Sequence, residues 1–451
     1  MMLRKTVVVV AALAAAIATS LTTASVASAS PGTPGTFNVV APTRLLDTRS
    51  DIGATQTLGP KQMLSFNATS GIDGLVSAVA LTITAVSPTG TGWLTVYPAS
   101  ATAPLASTVN FTPGRTTPNS TILQVGADGM VDVFNGSTGT VDVLADLTGY
   151  WSGGALDPAA PVVAGTLTPL PPKRIVDTRD GAGGPRAAKS TLVVPVDGFA
   201  GVPAEGVSAV AVNLTVTEAK RSGWLTAGSE TPPADAQTSS VNFLPNQSRA
   251  ALAVVPVAPD GSISVYNGSD GTAQVVADVV GYFNSGADST PAVDGAYLTS
   301  TPFRSVDTRV IGGALPALTT RVLQVLPNDG TALVFKGLTV TVTAVTPQNS
   351  GFFTVWDGTT GLPPTSNGNF VRSEDSASTM IVPVNPDGTI SVFNGSYGTL
   401  NIIVDIDGFV LNDLTSIPTV RAAVTKNKTA AAASLTKSAI ARTRAFAASH
   451  H

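Results

Sequence analysis

Arg44-Leu45-Leu46-Asp47-Thr48-Arg49 returns as Arg174-Ile175-Val176-Asp177-Thr178-Arg179 and again as Arg304-Ser305-Val306-Asp307-Thr308-Arg309, each time 130 residues later. The same landmarks follow each copy in the same order. A strand-like run at 79–86 has counterparts at 210–216 and 338–345. Then come Gly92-Trp93-Leu94-Thr95, Gly223-Trp224-Leu225-Thr226 and Gly351-Phe352-Phe353-Thr354, followed by Asn110-Phe111, Asn242-Phe243 and Asn369-Phe370. Every copy closes on Asp-Gly, on Asn-Gly-Ser-x-Gly-Thr and on an apolar stretch ending in Asp-x-x-Gly-aromatic. The period far exceeds the ~20–50 residues of stacked solenoid repeats, so each copy reads as a domain-sized unit.

The units fall at 35–151, 166–283 and 296–410, separated by Gly-, Pro-, Ala- and Ser-rich stretches at 152–165 and 284–295 that read as short exposed linkers. Units of roughly 115 residues can bury a core without disulfides or metal. Within them the hydrophobic period is two, Val, Ile, Thr and Phe dominate, and helix signals are missing. Asp128-Gly129, Asp260-Gly261 and Asp387-Gly388 sit between apolar runs, where a two-residue reversal needs positive φ. With the Asn135-Gly136 reversal they predict a closing three-stranded meander over about 122–125, 131–134 and 140–147. The expected architecture is all-β: three tandem antiparallel sandwiches, jelly-roll or Ig-like, with a β-trefoil in each unit as the alternative.

Composition removes whole classes of chemistry. The chain has 451 residues, no Cys and two His, His450 and His451, at its end. Thiol catalysis, disulfides, Cys-ligated metals and His-based mechanisms therefore lack a residue inside a unit. Lys and Arg number 25 against 29 Asp and Glu, giving no basic excess with which to bind a phosphate backbone, so nucleic acid is not an expected partner. Charged residues make up 12%, about half the usual ~25%, which leaves a surface of Thr, Ser, Gly, Asn and Pro.

At the N-terminus, Arg4 and Lys5 precede an apolar run at 7–19 and the small residues Ala27-Ser28-Ala29, the order of a secretory signal peptide spanning 1–29. The run is shorter than the ~20 residues of a spanning helix, so no transmembrane span is expected in the mature protein. At the other end, 416–451 forms an Ala-rich basic tail with Arg421, Lys426, Lys428, Lys437, Arg442 and Arg444. Outside signal and tail, 17 basic residues face 29 acidic ones. That asymmetry points to a separate task for the tail, which reads either as a disordered segment that merely solvates or as a helix formed on contact with an anionic wall polymer or lipid.

The recurring polar residues point to structure more than to chemistry. Asp146, Asp278 and Asp405 end apolar strands and need partners if buried. Arg49, Arg179 and Arg309 lie two residues beyond Asp47, Asp177 and Asp307, on the same strand face. The expected clamps are Arg49–Asp146, Arg179–Asp278 and Arg309–Asp405, joining the first and last strands of each unit. Calcium would need six to eight converging oxygens, which these carboxylates do not supply, so no metal or other cofactor is expected.

For binding, Trp93 and Tyr97 share one strand face, as do Phe352 and Trp356, with Trp224 the single counterpart in the second unit. If the opposite face is the core, these rings form an outward platform for sugars; the alternative is that they cover a sheet edge or pack beneath a loop. Catalysis has little support. Asp-Thr-Arg lacks the glycine of the aspartic-protease motif, Gly136-Ser137-x-Gly139 lacks nucleophile-elbow spacing, and two carboxylates alone leave a glycoside hydrolase as a third reading.

The frame Arg-x-[Leu/Val]-Asp-Thr-Arg, Gly-Trp-Leu-Thr, Val-Asn-Phe, Asn-Gly-Ser and Ala-Asp-x-x-Gly-Tyr resembles a tandem repeat of secreted actinobacterial proteins. The resemblance covers nearly all of 35–410, and unit three departs most, with Ser305, Gly368 and Phe409. It implies an accessory extracellular domain and carries no established activity. The leading expectation is a non-catalytic, secreted cell-surface or matrix protein acting in adhesion, structure or presentation. A carbohydrate-binding module array for wall or environmental polysaccharide is the alternative.

Overall fold

The computed structural model describes residues 35–153, 165–181, 183–229, 238–286, 293–414 and 428–449. The expected signal segment 1–29, the middle of both expected linkers and the start of the tail lie outside the described residues.

Unit one contains β1 (Thr36–Asp47), β2 (Met63–Asn67), β3 (Val76–Val86), β4 (Gly92–Pro98), β5 (Val109–Phe111), β6 (Thr117–Gln124), β7 (Met130–Asn135) and β8 (Asp142–Ser152). Unit two follows with β9 (Leu167–Asp177), β10 (Thr191–Pro195), β11 (Val207–Thr217), β12 (Gly223–Gly228), β13 (Val241–Phe243), β14 (Arg249–Pro256), β15 (Ser262–Asn267) and β16 (Gln274–Asn284). Unit three has β17 (Tyr297–Asp307), β18 (Thr320–Gln324), β19 (Phe335–Val345), β20 (Gly351–Trp356), β21 (Gly368–Phe370), β22 (Ser376–Pro383), β23 (Thr389–Asn394) and β24 (Asn401–Leu411). All pairings are antiparallel, in six four-stranded sheets. Unit one has the orders β1-β8-β3-β6 and β2-β7-β4-β5, and the other two units repeat them strand for strand.

The two sheets of a unit share one hydrophobic cluster. In unit one Leu81, Ile83 and Leu123 of the long-stranded sheet meet Phe66, Val96 and Val133 of the short-stranded sheet. The predicted closing meander is corrected by this arrangement. Strand β6 pairs with β3, β7 with β2 and β4, and β8 with β1 and β3. The reversal at Gly129 exists, with φ near 78°, but it carries the chain from one sheet to the other. A tight turn specifies a change of direction and leaves the pairing partner to the core that both sheets must cover.

The expectation of three sandwiches strung on linkers is corrected too. The six sheets form one propeller-like ring around a fourth apolar cluster drawn from all three units, with Phe37, Trp151, Leu167, Phe283, Tyr297 and Val410 at its heart. Phe37 lies 4.6 Å from Trp151 and 4.3 Å from Phe283, centroid to centroid, and Trp151 lies 4.7 Å from Tyr297. The cause is visible in β3, where all eleven residues are buried. A strand buried on both faces needs a partner layer on each side, and an isolated unit has only one. The trefoil alternative fails for a related reason, because the threefold relation lies between units and not within one.

Backbone hydrogen bonds close the ring in cyclic order. Phe37 N–H donates to the Gly165 carbonyl (2.7 Å), Leu167 N–H to that of Gly295 (2.8 Å), and Tyr297 N–H to that of Gly35 (3.0 Å). Gly165 and Gly295 adopt φ of 89° and 79°, and a Cβ at Gly165 would stand 1.9 Å from the Phe37 carbonyl oxygen. Only glycine allows both the left-handed backbone and the close approach.

The tail ends in α1 (Lys428–Ser449). Thr436, Ala439, Thr443 and Ala447 are buried, a stripe at helical spacing, with Ala439 joining the unit-three core. Arg444 places its guanidinium 5.4 Å from the Phe303 ring centre and bonds Ser300, while Arg442 lies 3.8 Å from Asp329. The helix packs against unit three without a polymer, so the alternative of a tail that merely solvates is corrected over these residues. No helix among the described residues is long and apolar enough to cross a membrane.

Candidate functional site

The closing carboxylates find guanidinium partners, but from the other arginine of each motif. Arg44, not Arg49, sits directly opposite Asp146 in the β1–β8 register. Its Nε and Nη2 donate to the two Asp146 oxygens at 2.5 and 3.1 Å. Arg174 grips Asp278 at 2.9 and 3.4 Å, and Arg304 Nε reaches Asp405 at 3.1 Å. Arg49, Arg179 and Arg309 fold back instead onto Asp47, Asp177 and Asp307, each through its backbone N–H and its Nε and Nη2. The strand ends at that Asp in every unit, so the following Thr and Arg turn away from the last strand. The two-residue alternation used to place the arginine stops one residue too early.

Each motif is therefore a chain of charges: Arg49, Asp47, Arg44 and Asp146 in unit one, linked by Arg44 Nη1 to Asp47 Oδ2 at 3.1 Å. The Arg49 guanidinium holds the Asp47 carboxyl down at about 2, and Asp177 and Asp307 are lowered by Arg179 and Arg309 in the same way. Asp278 behaves oppositely. Burial pushes it up to about 6 against the bonds from Arg174.

Of the five rings, two follow the alternative reading and pack beneath a loop, and three do not. Tyr97 and Trp356 are buried, at 3% and 4% exposure. Thr95, on the same face, bonds the Ala106 carbonyl, so the chain between β4 and β5 covers that face. Tyr97 bonds the Met63 sulfur, and Trp356 Nε1 donates to the Thr360 carbonyl. Trp93, Trp224 and Phe352 remain partly open. Each lies on the glycine of an Asn-Gly-Ser turn, Gly136, Gly268 or Gly395, where a Cβ would fall 2.2 to 2.4 Å from the ring. Lys61 and Lys189 sit 5.0 and 5.1 Å from the Trp93 and Trp224 ring centres.

These rings and the arginine motifs meet between units, a convergence the sequence did not reveal. A cleft of about 370 Å³ between units one and two is lined by Arg44, Arg49 and Thr84 on one side and by Trp224, Ser239 and Asn242 on the other. A cleft of about 390 Å³ between units two and three brings Arg174, Arg179 and Thr215 to Phe352, Ser366 and Asn369. The residues correspond one for one along the repeat. At the third junction Arg304 Nη2 donates to the Leu105 carbonyl of unit one at 2.9 Å. Among the described residues no group of three or more His, Cys, Asp or Glu is placed to hold a metal.

The ends of β5, β13 and β21 converge near one another and carry an ion pair that no repeat-wide motif contains. Arg115 Nη1 lies 2.7 Å from Glu374 Oε2, and Gln247 holds the matching place in unit two. Nearby, burial and the neighbouring Arg115 charge push the Arg249 guanidinium down to about 10.

No family model and no curated protein matches the chain. Among solved structures, a chain from the atomic structure of Sulfolobus turreted icosahedral virus aligns over 84% of this chain and 91% of its own, at 8% identity and a TM-score of 0.17. A chain described under the triple jelly roll fold and turret assembly in an archaeal virus aligns over 85% and 91%, again at 8% identity and 0.17.

Proposed function

We propose that the chain is an exported, non-catalytic protein of the cell surface or extracellular matrix, serving adhesion, structure or presentation as a rigid ring. In this reading each unit, with its order β1-β8-β3-β6 over β2-β7-β4-β5, is a jelly roll fused to its neighbours. The observation that carries the proposal is where the recurring charged residues go. Every motif arginine is bonded to a motif or closing-strand carboxylate, and Arg44, Arg174 and Arg304 tie the first strand to the last in all three units. The shared aromatic hub and cyclic backbone bonds extend that rigidity to the whole ring. The test is fractionation of cells producing the chain, with N-terminal sequencing. The expected product begins near residue 30 and is found at the surface or in the medium. An uncleaved chain confined to the cytosol, or hydrolysis of wall glycan by the purified protein, overturns the proposal.

A further inference from the structure

The two open clefts hold polar atoms that the fold leaves unused. In the unit two–three cleft, Thr215 is 5% exposed and its Oγ1 has no hydrogen-bond partner, and neither has Asn369 Oδ1. In the unit one–two cleft the equivalent Asn242 Oδ1 is likewise unpartnered. Their counterpart in unit one, Asn110 Oδ1, accepts from Ser107 Oγ at 3.1 Å. Buried polar atoms without partners are uncommon, because each forfeits its hydration without compensation. Their recurrence at matching positions of two clefts marks a ligand that supplies the missing bonds.

The rest of the lining defines that ligand. Arg179 spends Nε and one Nη2 hydrogen on Asp177, which leaves donors in a fixed fork on a side chain 42% exposed. Phe352, Leu362, Pro363 and Pro364 supply an apolar wall opposite. Charge at the site is balanced, Arg174 and Arg179 against Asp177 and Asp278. A pyranose offers an apolar ring face, donates to an amide oxygen and accepts from a guanidinium without carrying charge, and so meets each of these requirements. The cleft volumes fall within the ~300–1,000 Å³ of small-ligand sites.

We propose that the clefts between units one and two and between units two and three each bind one segment of a neutral, hydroxyl-rich saccharide, two per chain. The third junction differs, because Ser107 already satisfies Asn110 and the Leu105 carbonyl occupies Arg304. This site is independent of the structural role proposed above.

The test is calorimetric titration of the mature chain with cello- and chito-oligosaccharides as neutral probes and an oligogalacturonate as the anionic probe. The expected result is binding of a neutral probe at two sites per chain, falling to one in Asn369→Leu and in Asn242→Leu. The double variant should lose both sites, each weakened about tenfold or more, which is about 1.4 kcal/mol, with thermal unfolding unchanged. Phe352→Ala should lower the count in the same way as Asn369→Leu. Failure of both neutral probes to bind at millimolar concentration overturns the proposal. So does tighter binding of the oligogalacturonate, a count of three, or unchanged binding in the double variant.

Discussion

Arg174 stands directly across from Asp278 in the β9–β16 register, and its guanidinium grips both carboxylate oxygens at 2.9 and 3.4 Å. The carboxylate side chain is 1% exposed and the arginine 26%, so the pair joins the edge of the sheet to its interior. Removing one member of such a pair strands the other without its partner.

Arg174→Met should therefore destabilise the protein by about 3–5 kcal/mol in urea unfolding at roughly pH 8. Arg179→Met should cost no more than about 1 kcal/mol, because its side chain is half in solvent. The Arg174→Met penalty should shrink as the pH falls towards about 6 and level off below it, because without Arg174 the buried Asp278 carboxyl is pushed above its parent value and takes up a proton sooner. Equal penalties for the two variants would show that the clamp is misassigned.

The shared hub couples the three units. Trp151 is fully buried among residues of all three, and its truncation to Ala should cost about 3–5 kcal/mol. Because the lost contacts belong to every unit, calorimetry should show a single transition in the parent chain. Three separable transitions at independent temperatures would contradict a common core.

Gly165→Ala tests ring closure. The added methyl meets the Phe37 carbonyl in a left-handed backbone, whereas Gly184, also left-handed at φ 73°, has open space around it. Gly165→Ala should lose clearly more stability than Gly184→Ala, whose cost is the backbone strain of about 1–2 kcal/mol alone. Amide exchange at Phe37 should accelerate in the first variant only.

Two sets of carboxylates give the stability opposite slopes with pH. Asp47, Asp177 and Asp307 are held low by arginine, so their contribution is fully present above the ordinary Asp range near ~3.9 and is lost as pH falls towards about 2. Asp407 is buried beside Thr341 and near Asp405, and burial raises its carboxyl well above the ordinary value. The folded protein keeps a proton there that the unfolded chain releases, so stability falls as pH rises from ~3.9 towards the raised value. Asp407→Asn should remove its share of that slope, leaving the part that Asp278 contributes up to about 6, and stabilise the protein near neutral pH, on the order of 1–3 kcal/mol. A variant with an unchanged pH–stability curve would show that Asp407 is not a source of it.

The site was legible in its ingredients and not in its assembly. Asp146, Asp278 and Asp405 stood out because a carboxylate ending an apolar strand demands a partner, and the guanidinium type followed. Which arginine supplied it depended on a strand ending at Asp47, Asp177 and Asp307, which no alternation pattern announces. For Tyr97 and Trp356, outward display and burial beneath a loop both stayed open, because period two reports only which residues share a face. Whether that face meets solvent or the 99–108 segment is settled by the loop, whose path no local pattern encodes.

By itself the amino-acid order determined a strand-rich chain written three times over, its turns, and the residue types that bury charge, since these depend on contacts within a few residues or on exact recurrence. Only the tertiary structure decided that the units close on one another. That outcome follows from Ala78, Ala80, Trp151 and their counterparts on the far side of the long-stranded sheets. Their apolar surface leaves water only when three such faces meet, and a requirement shared among residues hundreds of positions apart has no local signature.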